Sequence, residues 1–267
     1  KQSPAKTAFE HTLKKDDRTL RSFVLIKADH GRKLMIGGHR GHLSEVRENT
    51  IENYKQILGS GISHIEIDIQ LTKDDVAVIY HDYELSERTS LTGRIRDYTL
   101  AELRAAFEID TLDESVAWCK KNHQAIAFEL KSRALDMYDF MPEIARQMVE
   151  VLRKYDFFDM CFVFSTDFRT LRMIKDMEPR TPIGLIVPFI PADPVKLMRE
   201  MDAIIYLVYL DSLSPEIVRS LHEAGYYVDG SIVNTPERMR AAIELGVDLI
   251  ESDHPLEMMK LYEEMTR

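Results

Sequence analysis

The sequence predicts a (β/α)8 barrel. Three observations lead there: eight apolar runs of strand length, helix-length segments between them, and a length of 267 residues, which suits one barrel better than two small domains. The runs at 34–39, 64–71, 125–131, 161–165, 182–187, 203–210, 226–233 and 247–252 are dense in Ile, Val and Phe, as strands buried on both faces are. Between them lie helical segments such as 49–59, 142–155, 167–177, 215–224 and 235–245. Alternation of the two makes a parallel sheet, and eight units close it. Residues 1–33 read as a lead-in that packs on the barrel, polar and charged as far as about Arg21. Residues 34–267 form the barrel itself, with a short insertion at about 83–113.

One connection departs from the repeat. After Thr72-Lys73-Asp74-Asp75 a further strand pattern follows at 76–80. Four polar residues are too few for a parallel crossover, so this strand must return as an antiparallel hairpin. A turn centred near Asp74 sets His81 roughly opposite Ile67, level with Glu66 and Asp68.

The formal net charge is -10, with 45% hydrophobic and 30% charged residues. That balance supports a full core and argues against binding nucleic acid or an anionic membrane through a broad charged surface. Any phosphate must be gripped locally. The longest candidate for a membrane span, 203–210, is only strand-sized, so stable membrane insertion is not expected. The chain begins at Lys1 without a methionine, which fits an exported protein whose leader has been removed; a cytoplasmic protein is the alternative. Cys119 and Cys161 fall in apolar helical and strand patterns and read as buried thiols, not a disulfide or metal pair.

Barrels of this kind place their chemistry at the C-terminal ends of the strands. The first strand ends in Gly38-His39-Arg40-Gly41, the second carries Glu66-Ile67-Asp68, the hairpin strand ends in His81-Asp82, and the next ends in Glu129-Leu130-Lys131. Glu66 and Asp68, two apart, share one face of their strand. With Glu129 they bring three carboxylates to one mouth, a repulsive group that a hard divalent cation, Mg²⁺ or Ca²⁺, relieves. His39 and His81 suit a general acid–base pair near neutral pH. Arg40 and Lys131 supply positive charge for phosphate oxygens, or ion pairs to the same acids. His42 reads as a loop residue at the pocket rim, His254 as a residue following the last strand that is not expected to line the mouth, and His64 as a satisfied core histidine one layer below Glu66.

These blocks resemble the signature of the glycerophosphodiester phosphodiesterases: His39-Arg40-Gly41, Glu48-Asn49-Thr50, and Glu66-x-Asp68 through Leu71-Thr72-Lys73-Asp74 to His81-Asp82. The likeness continues in Arg88-Thr89, Glu129-x-Lys131, Phe164-Ser165, Asn234 and Ser252-Asp253-x-Pro255, and so covers roughly Ile36 to Leu256. It implies Glu66, Asp68 and Glu129 as ligands of one divalent cation, and His39 and His81 as the catalytic pair. Arg40, Lys131 and Glu48 would bind substrate, and the substrate would be a small-molecule phosphodiester. The family's usual Pro before Glu-Asn-Thr is Arg47 here. The family's barrel-closing strand usually carries a Trp before Thr-Val-Asn, forming an apolar wall of the substrate pocket; the corresponding stretch here, Ser231-Ile232-Val233-Asn234, has no aromatic, which bears on the alcohol accepted. The insertion that covers the site in some members is short here, which implies an open pocket.

The function expected is metal-dependent hydrolysis of glycerophosphodiesters to glycerol 3-phosphate and an alcohol. The alternatives are a related phosphodiesterase for another head group, such as a sugar phosphodiester or a lysophospholipid, and a non-catalytic binding protein.

Overall fold

A computed structural model describes residues 34–267. The lead-in expected to pack on the barrel lies outside the described residues. Eight strands run parallel around a closed ring: β1 (Met35–Gly38), β2 (Ile65–Leu71), β4 (Ile126–Leu130), β5 (Cys161–Ser165), β6 (Ile183–Ile186), β7 (Ile205–Tyr209), β8 (Tyr227–Ser231) and β9 (Leu249–Ser252). The ring closes where β1 pairs with both β9 and β2. A ninth strand, β3 (Ala77–Ile79), lies outside the ring and pairs antiparallel with β2, with Ile69 opposite Ile79. Continuing that register brings His81 back across from Ile67.

Alternation along each strand sorts the side chains. Ile65, Ile67 and Ile69 of β2 face the helices and join the main apolar core, while Glu66 and Asp68 point into the barrel. Met35, Ala127, Phe162, Ile205, Tyr227 and Leu249 fill the lumen toward the N-terminal ends of the strands. The helices start on side-chain caps that the sequence supplies: Thr111, Asp167, Asp193, Ser214 and Thr235 each accept a backbone N–H of the first turn. Each such cap contributes about 1 kcal/mol.

The segment 49–59 differs from the helix expected there. Regular α-helix lasts only over Ile51–Tyr54. Asn49 holds a left-handed φ of 58° and Thr50 is extended, so neither can lie inside a helix. Beyond Tyr54 the chain continues as tight turns, with Gln56 N–H donating to Asn53 O and Ile57 N–H to Tyr54 O. The insertion at 83–113 holds two single-turn 3-10 segments and the helix Leu100–Ala106. It closes a small core of its own with β3, formed by Val78, Tyr80, Leu85, Ile95, Leu103 and Ile109. No helix among the described residues is long and apolar enough to cross a membrane.

Candidate active site

Three carboxylates meet at the barrel mouth because of strand register. Asp68 of β2 pairs directly with Glu129 of β4, and Glu66 lies two residues below on the same face. One oxygen from each of the three lies within 4.8 Å of the others. Glu66 and Asp68 are almost wholly buried, yet Glu66 Oε1 and Asp68 Oδ1 have no hydrogen-bond partner. Burial, Asp68 and Glu129 push the Glu66 carboxyl well above its ordinary range. Burial and Asp68 push Glu129 up to about 7. Asp68 goes the other way: burial opposes its charge, but Lys131, His81 and Arg40 together outweigh it. Unsatisfied oxygens, mutual repulsion and an all-oxygen donor set suit a hard divalent cation held by Glu66, Asp68 and Glu129.

Asn49 fixes the middle acid. Its Nδ2 donates to Asp68 Oδ2 at 2.9 Å, and Asp68 N–H donates back to its Oδ1 at 3.3 Å. The loop that carries it is pinned by Asn53, whose side chain takes His42 N–H and donates to the carbonyls of His42 and Val46. Gly41, at φ 99°, lies so close that an added Cβ would sit 2.1 Å from Asn53 Oδ1. Only glycine fits there.

The two histidines are held alike. His39 Nδ1 lies 2.7 Å from Asp253 Oδ1, and His81 Nδ1 lies 2.6 Å from Asp82 Oδ1. Each aspartate is held in turn, Asp253 by Asn234 Nδ2 at 2.7 Å and Asp82 by Arg88 Nε at 2.7 Å. An aspartate on Nδ1 leaves Nε2 as the working nitrogen. His39 Nε2 lies 3.9 Å from Glu66. Burial lowers the His81 pKa, with Lys131 and Arg40 adding to it and Asp68 opposing. His39 and Asp253 form one such pair across 214 residues of sequence.

Positive charge comes from Arg40 and Lys131. Lys131 Nζ lies 3.2 Å from Glu129 and 3.9 Å from Asp68, and over the ring of Tyr83 at 5.2 Å. Arg40 takes a left-handed φ of 55°, and its backbone N–H donates to Glu66 Oε2 at 3.0 Å. Its guanidinium pairs with Glu48 at 3.0 Å, while its buried Nε has no hydrogen-bond partner. Glu48 itself is taken up by Arg40 and Arg88 and does not line the cavity. His42 and His254 meet edge-on, 6.4 Å between ring centres, and neither lines the cavity.

One layer below, a polar network joins Ser63 and His64, just before β2, to Asp229 and Ser231 of β8 and Glu251 of β9. His64 is fully buried, with Nδ1 2.7 Å from Ser63 Oγ and Nε2 2.9 Å from Glu251 Oε1. Gly37 leaves it room, since a Cβ there would lie 2.3 Å from His64 Nε2. Ser231 Oγ accepts Glu251 N–H at 2.8 Å and touches both Asp229 Oδ1, at 2.6 Å, and Glu251 Oε2. One hydroxyl proton serves only one of those carboxylate contacts, so the other needs a proton on a carboxyl. Burial raises both acids: Asp229 goes well above its ordinary range, with Glu251 adding to it, and Glu251 rises as well.

A cavity of about 320 Å³ opens above these groups, lined by His39, Arg40, Glu66, His81, Glu129 and Lys131 on one side and by apolar side chains on the other. No residue of 83–113 lines it. The model of the glycerophosphoryl diester phosphodiesterase family matches residues 39–257. The chain belongs to this family. With it the chain joins the phosphoric diester hydrolases. A glycerophosphodiester phosphodiesterase of Caldanaerobacter subterraneus is 28% identical over 241 residues, covering 86% of this chain and 98% of its own. One of Bacillus altitudinis is 26% identical, covering 86% and 98%. Among solved structures, an Oleispira antarctica phosphodiesterase in complex with the product sn-glycerol-3-phosphate superposes with a TM-score of 0.79 at 24% identity, covering 86% of this chain and 96% of its own. A Parabacteroides distasonis glycerophosphodiester phosphodiesterase gives 0.77 at 21% identity, covering 88% and 99%. At those identities the likeness establishes the shared barrel.

The structure brings together every expected site residue of this family member except Glu48, which reaches the site through Arg40. Sequence reading did not single out Asn49, Asp82, Asp253 or Asn234 for their roles. Asp82 and Asp253 each stand at a strand end beside a loop, which was the available signal.

Proposed function

We propose that the protein hydrolyses glycerophosphodiesters to glycerol 3-phosphate and an alcohol, with His39 and His81 as the acid–base pair and one divalent cation, Mg²⁺ or Ca²⁺, on Glu66, Asp68 and Glu129. The observation that carries this reading is the convergence of three carboxylates within 4.8 Å between two histidines, each oriented by an aspartate on Nδ1. The product bound by the Oleispira relative agrees with it.

When bound, the cation supplies Lewis-acid polarisation of a phosphoryl oxygen and offsets the charge of the three acids. Lys131 and the guanidinium of Arg40 face the other non-bridging oxygens and stabilise charge as it grows at phosphorus. One histidine takes the proton of the attacking hydroxyl, which belongs to water or to the glycerol hydroxyl next to the phosphate. A phosphorus–oxygen bond forms, the bond to the alcohol breaks, and the other histidine protonates the departing alkoxide. Attack by water gives glycerol 3-phosphate directly; attack by the glycerol hydroxyl gives a cyclic phosphate, which a water then opens to glycerol 3-phosphate with the two histidines exchanging roles. Asp253 and Asp82 keep both rings aimed through Nε2. Glu48 acts by holding Arg40.

Release of glycerol 3-phosphate from glycerophosphocholine and glycerophosphoethanolamine tests this, first with EDTA and then with added Mg²⁺ or Ca²⁺. Turnover that vanishes with chelator and returns with cation is expected. His39→Ala and His81→Ala should each abolish it in a folded protein. Full activity in both variants would sink the mechanism.

A further inference from the structure

We propose that the phosphodiester substrate carries a long apolar arm, which crosses the β5–β8 half of the cavity and leaves over Tyr209, Phe189 and Ile190. The proposal rests on the phosphodiesterase reading above and narrows its substrate class.

The cavity is divided across the barrel. Its charged groups stand on the β1, β2–β4 and β9 side, and the wall from β5 to β8 carries Phe164, Ile186, Leu207 and Ile232 with no charged residue. Three hydroxyls stand among them. Ser231 is already engaged by Asp229 and Glu251, which leaves Thr166 and the mostly exposed Tyr209 to meet a polar ligand there. A polyol or an ammonium head group lying on that wall would lose most of its water with little replacement. An alkyl or acyl chain loses nothing.

The wall also continues past the cavity. Tyr209 lines it and is 65% exposed, while Pro188 lines it and is followed by Phe189, 79% exposed, and Ile190, 64% exposed. Pro188 and Pro191 bracket the pair and fix the backbone that presents them. Large apolar side chains scattered singly over a surface need no explanation, but three on one rim, continuous with a pocket wall, mark a binding track. No Lys or Arg lies between Pro188 and Val195, so this rim offers no charge to an anionic membrane, and a single-chain molecule is the occupant it fits. The arm can be the departing alcohol or an acyl chain on the glycerol. Both present the same chemistry to this wall.

The test is kcat/KM for sn-glycero-3-phosphate methyl, butyl and octyl esters and for a short-chain 1-acyl lysophosphatidylcholine, each below its micelle concentration and with one cation throughout. The rate should climb with chain length, by up to about fourfold per methylene where the chain is fully buried and less over the rim. The double variant Phe189→Ser, Ile190→Ser should flatten the climb for the octyl ester and leave the methyl ester unchanged. Preference for the octyl ester would place the arm on the alcohol, and preference for the lysolipid would place it on the glycerol. A flat series with a well-hydrolysed methyl ester overturns the apolar arm and leaves the phosphodiesterase reading standing. If no ester is turned over with any cation, both fall. A climb untouched by the double variant, with a dimer-to-monomer change in light scattering, would make the rim an interface between copies and overturn the proposal.

Discussion

Asp253 holds His39 through Nδ1 at 2.7 Å, and the ring is thereby turned so that Nε2 looks toward Glu66 at 3.9 Å. The hydrogen bond to His39 keeps the Asp253 carboxyl down at about 2, so it stays charged at any working pH. Asp253→Asn removes that charge and frees the imidazole to take the wrong tautomer. A fall in kcat of roughly 10²- to 10⁴-fold is expected, with little change in KM or in melting temperature. A loss confined to KM or to stability would make Asp253 a scaffold residue only.

Glu66 is the most strained of the three acids, since burial and two neighbouring carboxylates all oppose its charge. Glu66→Gln keeps an oxygen to accept the Arg40 N–H while removing the repulsion. Without cation the variant should melt no lower than wild type. Wild type should be stabilised by Mg²⁺ or Ca²⁺, by about 2.7 kcal/mol at a hundred times Kd, and the variant should lose most of that shift. Thermal melts with EDTA and with each cation decide it. An undiminished cation shift in the variant would rule Glu66 out as a ligand.

How much of this was readable in the sequence depends on how local the signal is. Glu66 and Asp68 are two apart on one strand, so a shared face follows from strand geometry alone. Placing Glu129 beside Asp68 needs the β2–β4 register, which barrel closure supplies. Five polar residues on β8, β9 and the loops just after them reach their partners only through the folded ring: Asp229, Ser231, Asn234, Glu251 and Asp253. Nothing in their spacing distinguishes them from solvated polar residues at strand ends. The helix expected at 49–59 is cut to one turn because Asn49 is committed to Asp68, a contact 19 residues away that no helical pattern records.

That commitment can be separated from backbone strain. Asn49 sits at φ 58°, which Ala adopts at a penalty of about 1–2 kcal/mol and Gly adopts freely. Both Asn49→Ala and Asn49→Gly lose the hydrogen bond that orients Asp68. Both should therefore weaken cation binding by roughly 10- to 100-fold in calorimetric titration, as loss of a ligand's supporting partner does. Only the Ala variant should also melt lower. If the Gly variant binds cation as wild type does, Asn49 shapes the loop and not the ligand.

The layer beneath the site predicts the acid limb of stability. Burial lowers the His64 pKa from 6.5 to about 4, so the native protein refuses a proton that the unfolded chain accepts between those values. Stability from this group is complete above pH 6.5 and is lost as pH falls toward 4, at about 1.4 kcal/mol per pH unit. Asp229 and Glu251 are raised, so their contribution has the opposite sign, complete at low pH and lost as pH rises. The two slopes oppose each other in wild type, and replacing the histidine exposes them. His64→Gln should cost stability at pH 7, where the packing and hydrogen bond are lost. The difference from wild type should then shrink by about 2 kcal/mol between pH 7 and pH 5, because only wild type pays for excluding the proton. Urea midpoints at the two pH values, both in EDTA, measure it. An equal difference at both would mean that His64 is not held neutral inside the barrel.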